Sequence, residues 1–256
     1  MLKVVGVGLF CLIAVILLTF RKEAPLTDKE DPAPDDPVAF AVASPSEDKH
    51  IIAGIEYINQ KENYPSACES VCAVMACRFA SIPMDVDTFI QSYLPQAQFL
   101  FKNGESIGYH PNERFMGDPY SDSSFGCYAP CIETAIRRFL PRDYTVKNTT
   151  GTDLSTLCHR YIDRDIPVMI WATQEMMAPE EGVIWTLHGG GTFQWIKGEH
   201  CLLLTGYDET CYYFHDPLAG VVSYERSLVE ERYAELGAQS LVLYRVPLKT
   251  RRLDAI

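Results

Sequence analysis

The chain has 256 residues, of which 47% are hydrophobic, and this content favours one domain of catalytic size with a single substantial core. Its formal net charge is -12 at pH 7. Nucleic acid is bound through clustered Lys and Arg, and the sequence contains no basic stripe, so this charge balance argues against a nucleic-acid partner.

The first predicted element is the apolar segment VVGVGLFCLIAVILLTF at residues 4–20, flanked by Lys3 and Arg21. Its length is close to the lower limit for a membrane-spanning helix, roughly 17 residues. Residues 1–22 are therefore predicted to be a signal peptide or a membrane anchor. The absence of a small-x-small cleavage site before RKEAP favours the anchor. We expect the rest of the chain to be extracytoplasmic, either membrane-anchored or secreted.

Residues 23–48 are rich in Pro, Asp, Glu, Ala and Ser and show no sustained apolar periodicity. Such a segment cannot bury enough surface to offset its ordering entropy, so it is predicted to be a disordered, extended tether. The folded domain is predicted at residues 49–248, and residues 249–256 are predicted to be a C-terminal tail.

Within that domain, apolar periodicity predicts helices early and strands late. Helices are expected at residues 68–80, 86–94, 131–140 and from Asp153, as a capping residue, to about residue 161. The runs IPVMIW, HCLLLTGYD, TCYYFHDP, GVVSYER and SLVLYRV are expected to be strands, with turns at DET and PLAG. Helices that lead into an antiparallel sheet indicate an α+β fold.

Eight of the nine cysteines lie in the predicted domain. Cys68 and Cys72 are four residues apart, which places them on one helix face but strains the geometry of a disulfide. Cys77, Cys201 and Cys211 lie in apolar runs, where a reduced Cys acts as a small hydrophobe. The close Cys pairs of a structural zinc site do not occur. We predict no metal and no cofactor, and mostly buried thiols, with one or two disulfides as the alternative.

Cys68 differs from the other cysteines in its surroundings. Pro65 and Ser66 favour a turn, so Cys68 is expected in the first turn of the following helix, near backbone N–H groups that have no intrahelical partner. Such a position stabilises a thiolate, the nucleophilic form of Cys. Cys72 and Cys77 lie deeper in the helix, where the helix terminus does not stabilise a thiolate. Cys68 is therefore the candidate nucleophile.

A nucleophilic thiol needs a base, and His200 and His215 are the strongest candidates among six histidines. His200 opens an apolar strand, and the pair His215-Asp216 closes the next one. If the two strands form a hairpin around DET, His200 and Asp216 lie at the same end. Asp216 could then orient His200 as the third member of a triad. His215 would point to the opposite face.

Two segments carry a family resemblance, NQKENYPSACESVCAVM and GEHCLLLTGYDETCYYFHDPLAG. They resemble the papain-like cysteine peptidases that remove double-glycine leaders from bacteriocins, and more closely their stand-alone bacterial relatives, which lack a transporter. In that family a Gln precedes the nucleophilic Cys by eight residues, as Gln60 precedes Cys68. The later motif is matched from His200 to Gly220. Ala67 replaces the family's usual Gly, which removes no group needed for chemistry.

The resemblance covers about residues 51–245 and implies a papain-like cysteine peptidase fold, with the nucleophile at a helix N-terminus packed on an antiparallel sheet. It also implies a mechanism. His200 would take the proton of Cys68, the thiolate would attack a carbonyl, and Asp216 would orient His200. The side-chain amide of Gln60 and the backbone N–H of Cys68 would stabilise the oxyanion.

Other functions stay open at this point. The same triad could transfer an acyl group to an amine, as transglutaminases do, or act as a cell-wall peptide amidase. A catalytically silent binding module that keeps the cleft is a further alternative. The expected partner is a peptide or protein substrate, with membrane association through residues 4–20. Specificity is expected to depend on two predicted loops, 95–125 and 174–198.

Overall fold

A computed structural model of the chain describes residues 49–246. The predicted anchor at 1–22, the predicted tether at 23–48 and the predicted tail at 249–256 all lie outside the described residues. Within residues 49–246, no helix is both long enough and apolar enough to cross a membrane.

The described residues form helices and strands in mixed order. The α-helices are α1 (Cys68–Phe79), α2 (Val86–Thr88), α3 (Ala129–Arg137), α4 (Leu154–Arg160) and α5 (Arg226–Glu235). A π-helical turn, Phe89–Tyr93, continues α2, and 3-10 turns occur at Ile162–Arg164 and Gln174–Met176. The strands are β1 (His50–Ile51), β2 (Gln96–Ala97), β3 (Leu100–Lys102), β4 (Glu105–Gly108), β5 (Phe115–Met116), β6 (Tyr144–Asn148), β7 (Val168–Thr173), β8 (Glu180–Leu187), β9 (Thr192–Lys197), β10 (Glu199–Tyr207), β11 (Cys211–Asp216), β12 (Gly220–Glu225) and β13 (Ser240–Arg245).

The largest sheet is antiparallel and has the strand order β12-β11-β10-β7-β13-β6, with β1 also paired to β10. Every residue of β7 and β10 is buried. Both faces of these central strands are covered, so their sequences are apolar runs rather than alternating patterns. Helix α1 packs against β10 and β7. Helices packed on an antiparallel sheet confirm the predicted α+β class.

Helix α1 starts at Cys68, as predicted, and its residues from Cys68 to Cys77 are all buried. A helix that is buried on all sides lies inside a core, which explains the weak amphipathicity of CESVCAVMACRF. Helix α4 also follows its prediction, because the Asp153 carboxylate accepts a hydrogen bond from the Thr156 N–H at 2.8 Å. Helix α3 begins two residues earlier than predicted, since Pro130 fits the first turn of a helix.

Two segments predicted as loops, 95–125 and 174–198, contain strands. A four-stranded sheet of order β3-β4-β8-β9 forms between them, with β4 and β8 parallel. The sequence pattern gave no sign of it, because the pairing joins distant parts of the chain and much of β8 is exposed. Trp185 and Trp195 of this sheet are buried.

Helix α5 is a second element that the sequence pattern does not predict, since most of RSLVEERYAE is polar and only Val229, Arg232 and Tyr233 are buried.

Candidate active site

The start of α1 lies against the start of β10. The turn before α1 is closed by the Ala67 N–H, which donates to the Tyr64 carbonyl at 3.0 Å. At the first residue of the helix, the Cys68 Sγ accepts a hydrogen bond from the Cys201 backbone N–H at 3.4 Å. Cys201 directly follows His200, so helix and strand bring the candidate nucleophile to the strand that carries the candidate base.

His200 and Asp216 are joined by a buried hydrogen bond. His200 Nε2 lies 2.7 Å from Asp216 Oδ1, and each side chain is 1% exposed. The hairpin register is not the symmetric one expected, because Leu203 pairs with His215, which places Asp216 opposite Leu202. A shift of two residues keeps a side chain on the same face of a sheet, so the predicted neighbours still meet.

Asp216 is held as a carboxylate by its surroundings. Burial alone would raise its pKa, but the hydrogen bond and charge of His200, with the backbone N–H groups of Leu218 and Ala219, lower the pKa below its ordinary value. The two backbone groups donate to Asp216 Oδ1 at 2.8 and 3.2 Å. An ionised carboxylate only accepts hydrogen bonds, so His200 Nε2 carries the proton and the lone pair of the neutral ring lies on Nδ1.

The structure does not join Cys68 to His200 by a hydrogen bond. Among the described residues, the buried His200 Nδ1 has no hydrogen-bond partner. The Cys68 thiol instead donates to Glu69 Oε2 at 3.4 Å. Within residues 49–246, the lone pair on His200 Nδ1 therefore accepts no hydrogen bond. His200 precedes Cys201 in the chain, and the backbone N–H of Cys201 contacts the Cys68 sulfur.

Gln60 is buried and links the turn before α1 to the end of β11. Its backbone N–H donates to the Pro217 carbonyl at 3.1 Å, and its Nε2 donates to the Pro65 carbonyl at 2.9 Å. A side-chain amide has two N–H donors, of which Pro65 occupies one. Gln60 therefore lies between the residue that follows Asp216 and the turn that precedes Cys68.

Two buried carboxyl groups, which the sequence patterns did not single out, adjoin the thiol. Glu69 Oε1 accepts the Cys127 backbone N–H at 2.6 Å, and burial raises the pKa of Glu69 to about 7. Burial, with the charge of Glu69, raises the pKa of Glu199 well above its usual value. Their only sequence signal is a single acidic residue beside Cys68 in an apolar helix and another beside His200.

These carboxyls change the expected chemistry of Cys68. Burial raises the pKa of the Cys68 thiol, the charges of Glu69 and Glu199 raise it further, and the Cys201 N–H opposes them without outweighing them. The expectation that the helix terminus stabilises a thiolate is therefore wrong for this arrangement, because desolvation and two nearby carboxyls dominate. The raised pKa favours the thiol form of Cys68.

The other polar candidates and thiols lie elsewhere. His215 faces the opposite side of the sheet from His200, with its Nδ1 3.3 Å from the Thr205 hydroxyl. All eight cysteines within residues 49–246 are free thiols, so this part of the chain does not contain the disulfides considered as an alternative.

Comparison with known proteins gives consistent matches. The Peptidase_C39 like family model matches residues 52–241. The uncharacterized protein YvpB of Bacillus subtilis (strain 168) is 21% identical over 179 residues, which are 70% of this chain and 69% of that protein. A crystal structure from Bacillus anthracis, assigned to the C39-like peptidases, superposes with a TM-score of 0.69 at 23% identity. It covers 78% of this chain and 98% of its own, and this likeness shows the shared fold.

Proposed function

Because this chain belongs to the C39-like peptidase family, we propose that it is a cysteine peptidase that cleaves peptide bonds through an acyl-enzyme on Cys68. The observation that carries the proposal is the buried His200–Asp216 pair, set on the strand whose backbone contacts the Cys68 sulfur. The pair supports the proposal because it supplies an oriented base on the strand that contacts the thiol, and nucleophilic catalysis by a thiol requires such a base.

The first half of the reaction forms the acyl-enzyme. The Cys68 thiol turns from Glu69 and passes its proton to the lone pair on His200 Nδ1, while Asp216 stabilises the imidazolium through Nε2. The thiolate sulfur attacks the carbonyl carbon of the scissile bond. When the C–N bond breaks, His200 returns the proton to the leaving amine, and the carbonyl carbon remains bound to sulfur as a thioester.

The second half releases the acyl group. Water enters in place of the amine, His200 Nδ1 takes one of its protons, and the oxygen attacks the thioester carbon. The C–S bond then breaks, the product leaves as a carboxylic acid, and the proton on His200 returns to the sulfur. Each cycle therefore consumes one water and restores the Cys68 thiol.

Charge that develops on the substrate oxygen needs donors. The backbone N–H of Cys68 lies in the first turn of α1, where N–H groups lack intrahelical partners. The second N–H of the Gln60 amide is the other donor that we assign to this oxyanion. Gln60 is suited to the role because it is buried and fixed at both its backbone and its side chain.

We also propose that the enzyme acts outside the cytoplasmic membrane on peptides or proteins, held there or exported by residues 4–20. The apolar character of that segment supports this placement. Fractionation of cells that express the full chain, with and without residues 1–22, tests it. Recovery of the full chain in the cytoplasmic fraction contradicts the proposal.

A mixture of peptides, analysed by mass spectrometry, tests the activity. Wild type should generate new N-termini and Cys68→Ala should not, whereas Cys211→Ala, which removes a partly exposed thiol in β11, should behave as wild type.

Adding a primary amine separates hydrolysis from acyl transfer, because transfer yields amide products. Amide products in excess of acids would favour the transferase, and no Cys68-dependent product of either kind would favour a binding module.

A further inference from the structure

Three potential metal ligands converge beside the helix terminus. The Cys68 sulfur and one carboxylate oxygen from each of Glu69 and Glu199 all lie within 4.8 Å of one another. All three residues are buried, with exposed fractions of 6% for Cys68, 0% for Glu69 and 6% for Glu199. The cluster joins the first turn of α1 to the first residue of β10.

Glu199 is incompletely paired within this cluster. Its Oε1 is buried and has no hydrogen-bond partner among the described residues. Buried carboxylates are normally paired with a donor or a cation, and two of them in close proximity repel each other when ionised. A cation between them and the thiol would pair the Glu199 carboxylate and offset the repulsion between the two acidic groups.

The geometry of Glu69 suits a ligand. Its Oε1 accepts the Cys127 backbone N–H at 2.6 Å, which holds the carboxylate with Oε2 directed at the Cys68 sulfur, 3.4 Å away. Zn–S bonds of about 2.3 Å and Zn–O bonds of about 2.0 Å at a tetrahedral angle place sulfur and oxygen about 3.5 Å apart. The separation seen in the thiol–carboxylate hydrogen bond is therefore also compatible with two ligands of one tetrahedral ion. The Cys127 N–H acts as the outer contact that such ligands typically require.

Gly126 makes room for both carboxylates. A Cβ at this position would lie 2.5 Å from Glu69 Oε1 and 3.0 Å from Glu199 Oε2. The two acidic side chains thus approach the same point of the backbone, where only a glycine leaves space for them.

We propose that Cys68, Glu69 and Glu199 bind a thiophilic divalent cation, with Zn²⁺ as the best fit, and that a water molecule occupies the fourth position. A site of one thiolate sulfur and two carboxylate oxygens favours zinc over the hard cations Mg²⁺ and Ca²⁺, because sulfur is a ligand that zinc accepts and these cations do not. On binding, the S–H proton and any proton held by the two carboxyl groups leave to solvent, and lone pairs of the sulfur and of one oxygen of each carboxylate form the bonds to the metal.

The functional consequence rests on the proposed peptidase activity, whereas the ligand set does not. A metal-bound sulfur cannot attack a carbonyl carbon, so the cation would inhibit the enzyme reversibly. Removal of the cation by a chelator would restore the free thiol. The catalytic nucleophile and the regulatory site would then share one atom, the Cys68 sulfur.

Cobalt substitution tests the site directly, because a Co²⁺–thiolate bond gives charge-transfer absorption in the near ultraviolet. Reduced full-length protein titrated with Co²⁺ should develop this absorption with one ion per chain. Cys68→Ala should abolish it, and Glu199→Gln should raise the dissociation constant by about tenfold or more. Cys211→Ala removes the partly exposed thiol and should leave the titration unchanged. Absorption that survives in Cys68→Ala, or affinity unaltered by Glu199→Gln, would overturn the proposal.

A second measurement uses the unaltered protein and so does not depend on how the variants fold. Mass spectrometry after timed iodoacetamide treatment gives an alkylation rate for each cysteine. Zn²⁺ should slow alkylation of Cys68 by about tenfold or more and leave Cys211 unaffected. Equal protection of both thiols, or of neither, would refute the site.

The two proposals fail separately. Metal binding without peptidase activity would overturn only the proposed function, and peptidase activity that Zn²⁺ does not alter would overturn only the proposed inhibition.

Discussion

Asp216 Oδ1 lies 2.7 Å from His200 Nε2, although Asp216 stands opposite Leu202 in the hairpin. Both residues are on one face of the sheet, and the longer reach of the imidazole covers the offset of two positions. The same oxygen accepts the Leu218 N–H at 2.8 Å. Asp216 is therefore held in place by the turn that follows it, and Asp216 in its place orients the imidazole ring of His200.

Asp216→Asn is expected to impair the base without removing its hydrogen bond. The amide can accept the proton of Nε2, but it can equally donate to that nitrogen, which would move the ring proton to Nδ1 and block proton transfer from Cys68. By analogy with other triads, kcat/KM should fall by roughly 10²- to 10⁴-fold. Steady-state kinetics on a cleaved peptide measures this. Asp208→Asn, at the turn of the same hairpin, is the matched control, and an equal loss in both variants would argue against a specific role.

The pH dependence of stability should show the depressed pKa of Asp216. Its folded-state pKa lies below the unfolded value of roughly 3.9, so its contribution to stability is present above that value and is lost as pH falls through the folded pKa. The free energy of unfolding of wild type should therefore exceed that of Asp216→Asn at about pH 6, and the gap should narrow below about pH 4. Urea denaturation across this range measures it. A gap that does not change with pH would show that Asp216 carries no such shift.

Gln60→Ala should lower kcat more than it raises KM, because an oxyanion donor acts mainly in the transition state. The expected loss is roughly a hundredfold to a thousandfold in rate. Gln91→Ala, which removes an exposed amide that donates to the Tyr120 hydroxyl, should retain wild-type activity. Wild-type kcat in Gln60→Ala would remove Gln60 from the mechanism.

Gly126→Ala should destabilise the protein through the carboxyl cluster. The added Cβ would meet Glu69 Oε1 at 2.5 Å and Glu199 Oε2 at 3.0 Å, so both side chains must shift within a buried region. Overpacking of this kind typically costs about 1–3 kcal/mol of unfolding free energy. Gly189→Ala has no atom within 4 Å of the new Cβ and should change stability by no more than about 0.5 kcal/mol. Equal thermal midpoints for the two variants would contradict this packing.

Much of the site could be predicted from local sequence. The Pro-Ser turn placed Cys68 at the first residue of α1, and two apolar runs around a polar turn placed His200 and Asp216 on neighbouring strands. These features depend on periodicity and turn chemistry, which act over a few residues. The register of the hairpin could not be predicted in the same way, because the β10–β11 pairing shifts between Leu204 and Gly206, and the local sequence does not mark this irregularity.

Features that depend on long-range contacts could not be predicted. Glu69 and Glu199 are far apart in sequence, and their burial beside one thiol arises only when α1 packs on β10. The same is true of the pKa of Cys68, which the helix terminus alone would lower but which burial, together with the charges of Glu69 and Glu199, raises. The parallel pairing of β4 with β8 likewise joins two segments that each lack a strand pattern.

Direct detection of an acyl-enzyme tests the central claim. Wild type mixed with an activated peptide ester, quenched in acid and digested, should show a peptide of α1 whose mass is increased by the acyl group at Cys68. Hydroxylamine should release that group, as it does for a thioester, and His200→Ala should form the adduct far more slowly. Hydrolysis of the ester with no acyl group on Cys68, at a rate that Cys68→Ala shares, would contradict the account.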